Sequence, residues 1–345
     1  MPVAVALSGG ADSLLALCLL QEQGYDPVAV HASFLGPGPE QQRLQEQLAG
    51  VCAQRGVVLH CLDLQETFEE QVILPFVQAY ARGATPNPCA WCNRRIKFGR
   101  FIQEVQGLGA NLVATGHYAT LQRDCRFSPG LYRGRDAGKD QSYFLALVSR
   151  EQLEKATFPL SGWRKDEVRA ELARRGLSSV TARESQEICF IPHNDYRSFL
   201  SVQATPLPGP GKVVDSHGRI WGWHQGLHKF TVGQRRGLGI AYSEPLYVLN
   251  KDTINNTLIV GPRSELHVTS CRVRLVNALV RVSSWPEQIW VQTNYRQPAG
   301  LARIHESGQD LVVRFEEPRS PAAPGQIAVF YSQQGRVLGG GEIHG

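Results

Sequence analysis

Short apolar runs alternate with amphipathic stretches through the first third of the chain. Val3–Leu7 reads as a buried strand, followed by a glycine-containing turn and a helix from about Asp12 to Gln23. The run PVAVHASF returns as a strand, Gln41–Arg55 carries a helical apolar pattern, and VVLHCLDL makes a third strand. Strand, helix, strand at this spacing predicts a parallel α/β sheet. NLVATGHY adds a strand that ends in a Gly-His-Tyr loop, and the pattern from Ser149 to Gly176 is helical with Arg and Lys on its exposed face. PLPGPG, residues 206–211, reads as a linker. Beyond it short strands and glycine-rich turns dominate, and the tail alternates as half-buried strands do. In CRVRLVNALVRV, Val273, Leu275, Val280 and Val282 face a core, with a phase change near Asn277–Ala278; a hairpin turn is expected at Gln333–Gly335. The predicted architecture is an α/β parallel-sheet domain (1–200), a small central β-rich domain (201–262) and a C-terminal antiparallel β-barrel (263–345).

Composition narrows the class without naming a chemistry. In 345 residues, 42% are hydrophobic and 19% charged, which excludes a wholly disordered chain. There is no apolar run of membrane-spanning length, and the start MPVAVALSGGADS lacks a basic region and a small-residue cleavage site. A cytoplasmic protein with no membrane partner is therefore expected. The net charge of +5 permits a nucleic-acid or anionic partner without requiring one. Eight cysteines in such a chain read as thiols, metal ligands or catalytic groups rather than a disulfide framework.

The strongest local motif is SGGADS, Ser8–Ser13, set between a strand and a helix. Adjacent glycines let successive N–H groups point at one anion, and the helix start adds unpaired N–H groups and a positive dipole end. The hydroxyls of Ser8 and Ser13 supply further donors, and Asp12 is placed to take a magnesium ion. No GxxxxGK[ST] P-loop is present. SGGxDS after a first strand resembles the pyrophosphate loop of the N-type ATP pyrophosphatases. That resemblance implies cleavage of ATP between its α- and β-phosphates to adenylate a substrate oxygen.

Cys89 and Cys92 lie in TPNPCAWCNRRIKFG. Pro86 and Pro88 predict an extended approach that puts both thiols on an exposed turn outside any helix. Arg94, Arg95 and Lys97 should lower their pKa values. Cys189, in ESQEICFIP, is the third candidate. Cys18, Cys52, Cys61 and Cys271 sit in apolar patterns as inert core residues, and Cys125 in a polar segment as a bystander. The set fits a zinc site through Cys89, Cys92, Cys189 and His193, a redox pair of Cys92 with Cys189, or a three-cysteine [4Fe–4S] cluster with an open iron. CxxC alone does not separate them.

SGGADS, TPNPCAWCNRRIKFG, ATGHYA, KDQSYFL, ESQEICFIP, HKFTVGQRRGLGI and PGQIAVFY occur in an order that resembles the bacterial tRNA-specific 2-thiouridylases over essentially the whole chain. The resemblance implies a PP-loop (adenine nucleotide alpha hydrolase-like) first domain. It also implies ATP-dependent exchange of oxygen for sulfur at C2 of the wobble uridine, position 34, in tRNAs of Lys, Glu and Gln type. By that likeness Ala6, Leu7, Ser8, Gly9, Gly10, Ala11, Asp12, Ser13, Ala32 and Gly116 would bind ATP with Mg2+. Cys189 would carry a persulfide loaded by an upstream sulfur donor protein or sulfide, and Cys92 would attack it, leaving a Cys92–Cys189 disulfide. His117, Lys139, Asp140, Gln141, Tyr295, Arg296 and Gln326 would meet the tRNA, Tyr295 from a β-strand.

One departure stands out. The best-known form of the family has aspartate at the position of Cys89. An unperturbed thiol is mostly protonated at neutral pH where a carboxylate of pKa ~4 is ionised, so Cys89 cannot inherit a carboxylate's base role. As a third sulfur it instead suggests a [4Fe–4S] cluster on Cys89, Cys92 and Cys189, as in related thiolases with this arrangement. A second departure, Ala11 for the usual valine, is conservative. The rivals are another PP-loop enzyme adenylating a different substrate and a non-catalytic tRNA-binding protein.

Overall fold

The computed structural model describes residues 2–124, 127–181 and 188–344. Its contacts divide the chain into two units, residues 1–72, 89–190 and 334–337 in the first, and 73–88, 191–333 and 338–345 in the second.

The first unit is built on β1 (Pro2–Ala6), β2 (Asp26–Ser33), β3 (Leu59–Asp63), β4 (Leu112–Ala114) and β7 (Ala156–Thr157). They form one parallel sheet in the order β3-β2-β1-β4-β7. Val3, Ala4 and Val5 are fully buried, as expected of a central strand covered on both faces. Helix α1 (Ala11–Glu22) follows β1, and α2 (Pro39–Gln54) follows β2. The sequence ADSLLALCLLQE of α1 is apolar almost all round because the helix is packed on two sides. Leu17 and Leu20 join Val3, Val5 and Ala29 against the sheet, while Leu14, Leu15 and Cys18 meet Leu160, Val168 and Leu172. The chain leaves β1 toward β2 in one direction and returns at β4 on the other side. In open parallel sheets the crevice beyond the strand ends at such a reversal is where ligands bind. The loops after β1 and β4 are SGG and TGHY.

A hairpin of β5 (Ala119–Asp124) and β6 (Phe127–Arg133) precedes the helical region. That region is shorter than Ser149–Gly176: helices span Arg150–Glu154 and Lys165–Arg174, with β7 and an irregular turn between them. The sheet required a strand there, and Ala156 pairs with Val113.

In the second unit β8 (Gly211–Val214), β9 (Ile220–His224), β10 (Leu246–Asp252) and β11 (Thr257–Pro262) form a four-stranded sheet in the order β10-β11-β8-β9. It closes over Val213, Leu227, Val248, Leu258 and Val260. A closed barrel follows from β12 (Val268–Ala278), β13 (Ile289–Gln292), β14 (Gly300–Ser307), β15 (Asp310–Arg319), β16 (Ile327–Tyr331) and β17 (Val337–Ile343). Val273 lies in its core, with Leu275, Val280 and Val282 packed against it. The expected phase change is a register shift between Leu275 and Asn277. Turn residues Gln333–Gly335 follow β16, with Gly335 at φ 76°. Tyr295 and Arg296 stand in the turn after β13 rather than on a strand, pinned by Gln292, whose Nε2 donates to the carbonyls of Asn294 and Tyr295.

Candidate active site

The loop after β1 is closed on itself by its two hydroxyls. The amide of Ser8 donates to Ser13 Oγ at 3.2 Å, Ser13 Oγ–H donates to the Gly10 carbonyl at 3.0 Å, and the Gly10 amide reaches Ser8 Oγ at 3.4 Å. Gly9 has φ 84°, and a Cβ there would lie 2.9 Å from Leu44 Cδ1, so only glycine fits. Gly10 caps α1 without any side-chain cap, leaving the first-turn amides for an anion. Ala6 and Leu7 lead into this loop, and the Leu7 amide donates to Val30 O on β2, which also carries Ala32. The residues Ser8–Ser13 therefore fit the phosphates of a nucleotide.

Gly116 lies against the same helix start: a Cβ on it would come within 2.8 Å of Asp12 Cβ and 2.9 Å of the Asp12 carbonyl carbon. Gly116→Ala should displace the first turn of α1, weakening nucleotide binding about tenfold or more and costing about 1–3 kcal/mol in stability. Nucleotide titration beside thermal melting checks both.

Asp12, expected as an open magnesium ligand, already has partners. Lys165 Nζ lies 2.7 Å from each of its carboxylate oxygens, and Tyr118 Oη–H donates to Oδ1 at 2.6 Å. Burial and the neighbouring carboxylate raise the Tyr118 pKa, so it remains a donor. Lys165 is held at the helix start, its amide donating to Asp136 Oδ2 at 3.0 Å. The helical pattern of Ser149–Gly176 predicts an exposed basic face for it; instead its side chain is mostly buried. Nothing local in KDEVRAEL signals a partner so far along the chain.

His31 is a second residue the motif reading passed over. Its Nδ1–H donates to the Leu7 carbonyl at 2.8 Å, and Nε2 accepts from Gln41 Nε2 at 2.8 Å, a tautomer set by this network. Burial lowers its pKa, so it is a neutral strut beneath the loop. A polar residue in the apolar strand PVAVHASF was the available signal.

The thiols differ from expectation. Pro88 opens a helix, Pro88–Cys92, because a first-turn proline loses no helical hydrogen bond. A π-helical stretch, Asn93–Arg100, continues it. Gly99 permits the wide turn, since a Cβ would stand 2.9 Å from Arg94 O. Cys92 is buried and Cys89 half-buried, where an exposed turn was expected. Burial pushes Cys89 up to about 11 and Cys92 up to about 12, and raises Cys189 as well, although Cys189 as a residue reaches the surface. The expected lowering fails for a physical reason. Arg94 and Arg95 spend their guanidinium groups on the carbonyls of Leu147 and Gln71, and Arg95 covers the Trp91 ring at 4.3 Å. At Cys89 and Cys92 only Lys97 opposes the burial; at Cys189 Lys97 is joined by backbone N–H donors of Cys189 and Phe190. Cys89 and Cys92 each also feel the charge of Cys189. Since little thiolate exists near neutrality, alkylation of Cys89 and Cys92 by iodoacetamide should rise about tenfold per pH unit from pH 7 to 9 without levelling. Peptide mass analysis reads this directly; a plateau near pH 8 would contradict it.

Among the described residues, no three His, Cys, Asp or Glu side chains are arranged to hold a metal ion. As placed, Cys89, Cys92 and Cys189 therefore do not form the ligand set expected for a cluster, and His193 does not complete a zinc site with them. Cys18 and Cys52 are core residues, Cys271 is half-buried, Cys61 is exposed rather than core, and Cys125 lies outside the described residues.

The loop after β4 links the two chemistries. Gly116 touches Asp12, and His117 beside it is buried, accepting from or donating to Thr115 Oγ1 through Nδ1 at 2.7 Å between Phe98 and Phe158. Burial and the charge of Lys97 hold its pKa well below the usual histidine range. The charge of Lys97 thus acts on both His117 and the thiols. Gln141 fixes this loop, its Oε1 accepting from the Tyr118 amide at 2.9 Å and its own amide donating to Tyr118 O at 2.8 Å. Asp140 is buried and accepts from Arg133 Nη1, the Gly134 amide, and the amide and hydroxyl of Ser142. Lys139 closes the preceding turn, its amide on Asp136 O. In the second unit, Gln326 Nε2 donates to Thr85 O at 2.7 Å, and Arg296 is exposed.

Residues 1–193 match the family described as tRNA methyl transferase HUP domain, residues 197–262 its PRC-barrel domain and residues 268–343 the aminomethyltransferase beta-barrel domain. A curated protein of Nitratidesulfovibrio vulgaris strain Miyazaki F, tRNA-specific 2-thiouridylase MnmA, is 49% identical over 100% of this chain and 99% of its own. Its namesake in Oleidesulfovibrio alaskensis strain G20 is 48% identical over 99% of each chain.

Proposed function

Because the chain belongs to the tRNA-specific 2-thiouridylase family, we propose that it replaces O2 of the wobble uridine of tRNAs of Lys, Glu and Gln type by sulfur at the expense of ATP. The observation that carries this reading is the loop Thr115–Tyr118. It connects a nucleotide-binding helix start, through Gly116 on Asp12, to Lys97 and the thiols through His117. Methyl transfer, named in the description of the family model, needs neither the phosphate loop nor paired cysteines.

Ser8–Ser13 hold the ATP phosphates, and Asp12 is the residue that would hold a magnesium ion, which lowers the charge barrier to attack on the α-phosphate. Uridine O2 attacks that phosphorus, pyrophosphate leaves, and a poor leaving oxygen becomes part of AMP. A persulfide on Cys189, loaded by an upstream donor, supplies the sulfur. Cys92 thiolate attacks the Cys189 sulfur, the terminal sulfur departs as hydrosulfide, and a Cys92–Cys189 disulfide forms. Hydrosulfide attacks C2, AMP leaves, and a thiol reductant restores the cysteines. Lys97 stabilises the developing thiolates, and neutral His117 orders the loop between the two reactions. Asp140, Gln141 and Gln326 act as positioning residues: both Asp140 oxygens, Gln141 Oε1 and Gln326 Nε2 hold partners within the protein. Lys139, Tyr295 and Arg296 face the tRNA. The target base leaves its stack to reach such a site, at a cost of a few kcal/mol that contacts to the rest of the tRNA offset.

Pyrophosphate release tests the reading. It should require unmodified tRNA and stop with tRNA already thiolated at this base. Release with no tRNA, or undiminished by prior thiolation, would point to another adenylated substrate.

A further inference from the structure

β9 is an edge strand, and it carries apolar surface where edges are usually kept polar. Trp223 is 66% exposed and Ile220 52% exposed. Beside them Trp221 is fixed: its Nε1–H donates to Asp215 Oδ2 at 3.0 Å and Tyr242 meets its ring edge-on at 5.0 Å. The Arg219 guanidinium lies 4.5 Å from the Trp221 ring centroid. Across the β8–β9 ladder Lys212 is directly opposite Trp223, and paired residues share a face. The segment that brings Tyr242 here is anchored by the partly buried Val232, Leu238 and Ile240 packed against the core, and Gln234 Nε2 donates to Arg236 O at 2.8 Å. This leaves Arg235 and Arg236 exposed on a held loop. Among the described residues, Lys212, Arg219, Arg235 and Arg236 form no ion pair with a carboxylate.

Rigid aromatic faces interleaved with unneutralised cations are the physical requirements of unpaired RNA: π-surfaces for bases, positive charge for the phosphates between them. We propose that the β9 edge, with Trp223 at its centre and the Arg235–Arg236 loop beside it, is a stacking platform for an unpaired nucleotide of the tRNA substrate. Trp223 stacks on the base, and Lys212, Arg219, Arg235 and Arg236 neutralise the flanking phosphates. The inference rests on tRNA being the substrate and adds a binding surface outside the catalytic loop.

Full-length Trp223→Ala protein should bind unmodified tRNA about tenfold more weakly at fixed salt, and Trp223→Phe should recover most of the loss. Neither should lower the melting temperature, because Trp223 lies outside the core. Arg235→Ala with Arg236→Ala should flatten the dependence of log affinity on log salt by about one per charge removed. Wild-type affinity in Trp223→Ala overturns the platform while leaving the substrate reading intact. Absence of tRNA binding by the wild type overturns both. Unchanged affinity, combined with a wild-type dimer that Trp223→Ala dissociates, would assign this face to a second copy of the chain instead.

Discussion

Replacing Cys189 by serine should reduce tRNA thiolation by at least about 10³-fold, because the proposed relay loses the atom that would carry the transferable sulfur. The same protein should bind tRNA within about twofold of wild type and still release pyrophosphate in its first turnover, since the proposed adenylation precedes sulfur transfer and would use Ser8–Ser13. Cys92→Ser should show the same split. Cys89→Ser is the informative contrast. In a relay between Cys92 and Cys189 the third thiol is a neighbour whose loss leaves most thiolation, whereas a [4Fe–4S] site would lose a ligand and its activity. Retained thiolation in Cys189→Ser would contradict the role given to that residue. Loss of activity in Cys89→Ser, with iron bound to anaerobically prepared wild type, would replace the relay by a cluster.

A second large effect is expected at the Asp12–Lys165 pair. Lys165 Nζ contacts both carboxylate oxygens at 2.7 Å, so a magnesium ion held by Asp12 would compete with the ammonium for the same atoms. Asp12→Asn should lower tRNA-dependent pyrophosphate release by about 10²–10³-fold and abolish its response to magnesium. Lys165→Met should also slow release, yet it should shift half-saturation by magnesium to lower concentration, because the competing cation is removed. Nucleotide affinity measured with and without magnesium separates this from a change in chemistry alone. An unchanged magnesium response in Lys165→Met would show that the pair is only a structural tie.

Much of this was legible in the chain because local pattern and global fold agree. The apolar runs at Val3–Leu7 and VVLHCLDL marked parallel strands, the first at the centre of the sheet and the second at its edge, and the change of phase near Asn277 marked a barrel bulge. SGGADS marked the turn and the uncapped helix start, since two glycines there free the chain for a tight loop. The failures are long-range. Pro88 was read as a breaker, whereas a helix start is where proline costs least. Arg94 and Arg95 looked like thiol activators, but tertiary carbonyls claim them, and desolvation then outweighs the one remaining charge, Lys97. Lys165 lies 153 residues from Asp12, a separation no periodicity reports. Asp140 and Gln141 fall in one motif with Lys139, yet Gln141 holds Tyr118 in the loop that carries Gly116 and His117, and Asp140 turns inward to Arg133, Gly134 and Ser142.

Nucleoside mass analysis of unmodified tRNA, incubated with the isolated protein, ATP, magnesium and a sulfide source under reducing conditions, tests the central claim most directly. The predicted result is a wobble uridine in which one oxygen is replaced by one sulfur, with one pyrophosphate released for each. Pyrophosphate without a sulfur-containing base, or a sulfur-containing base formed without ATP, would contradict it.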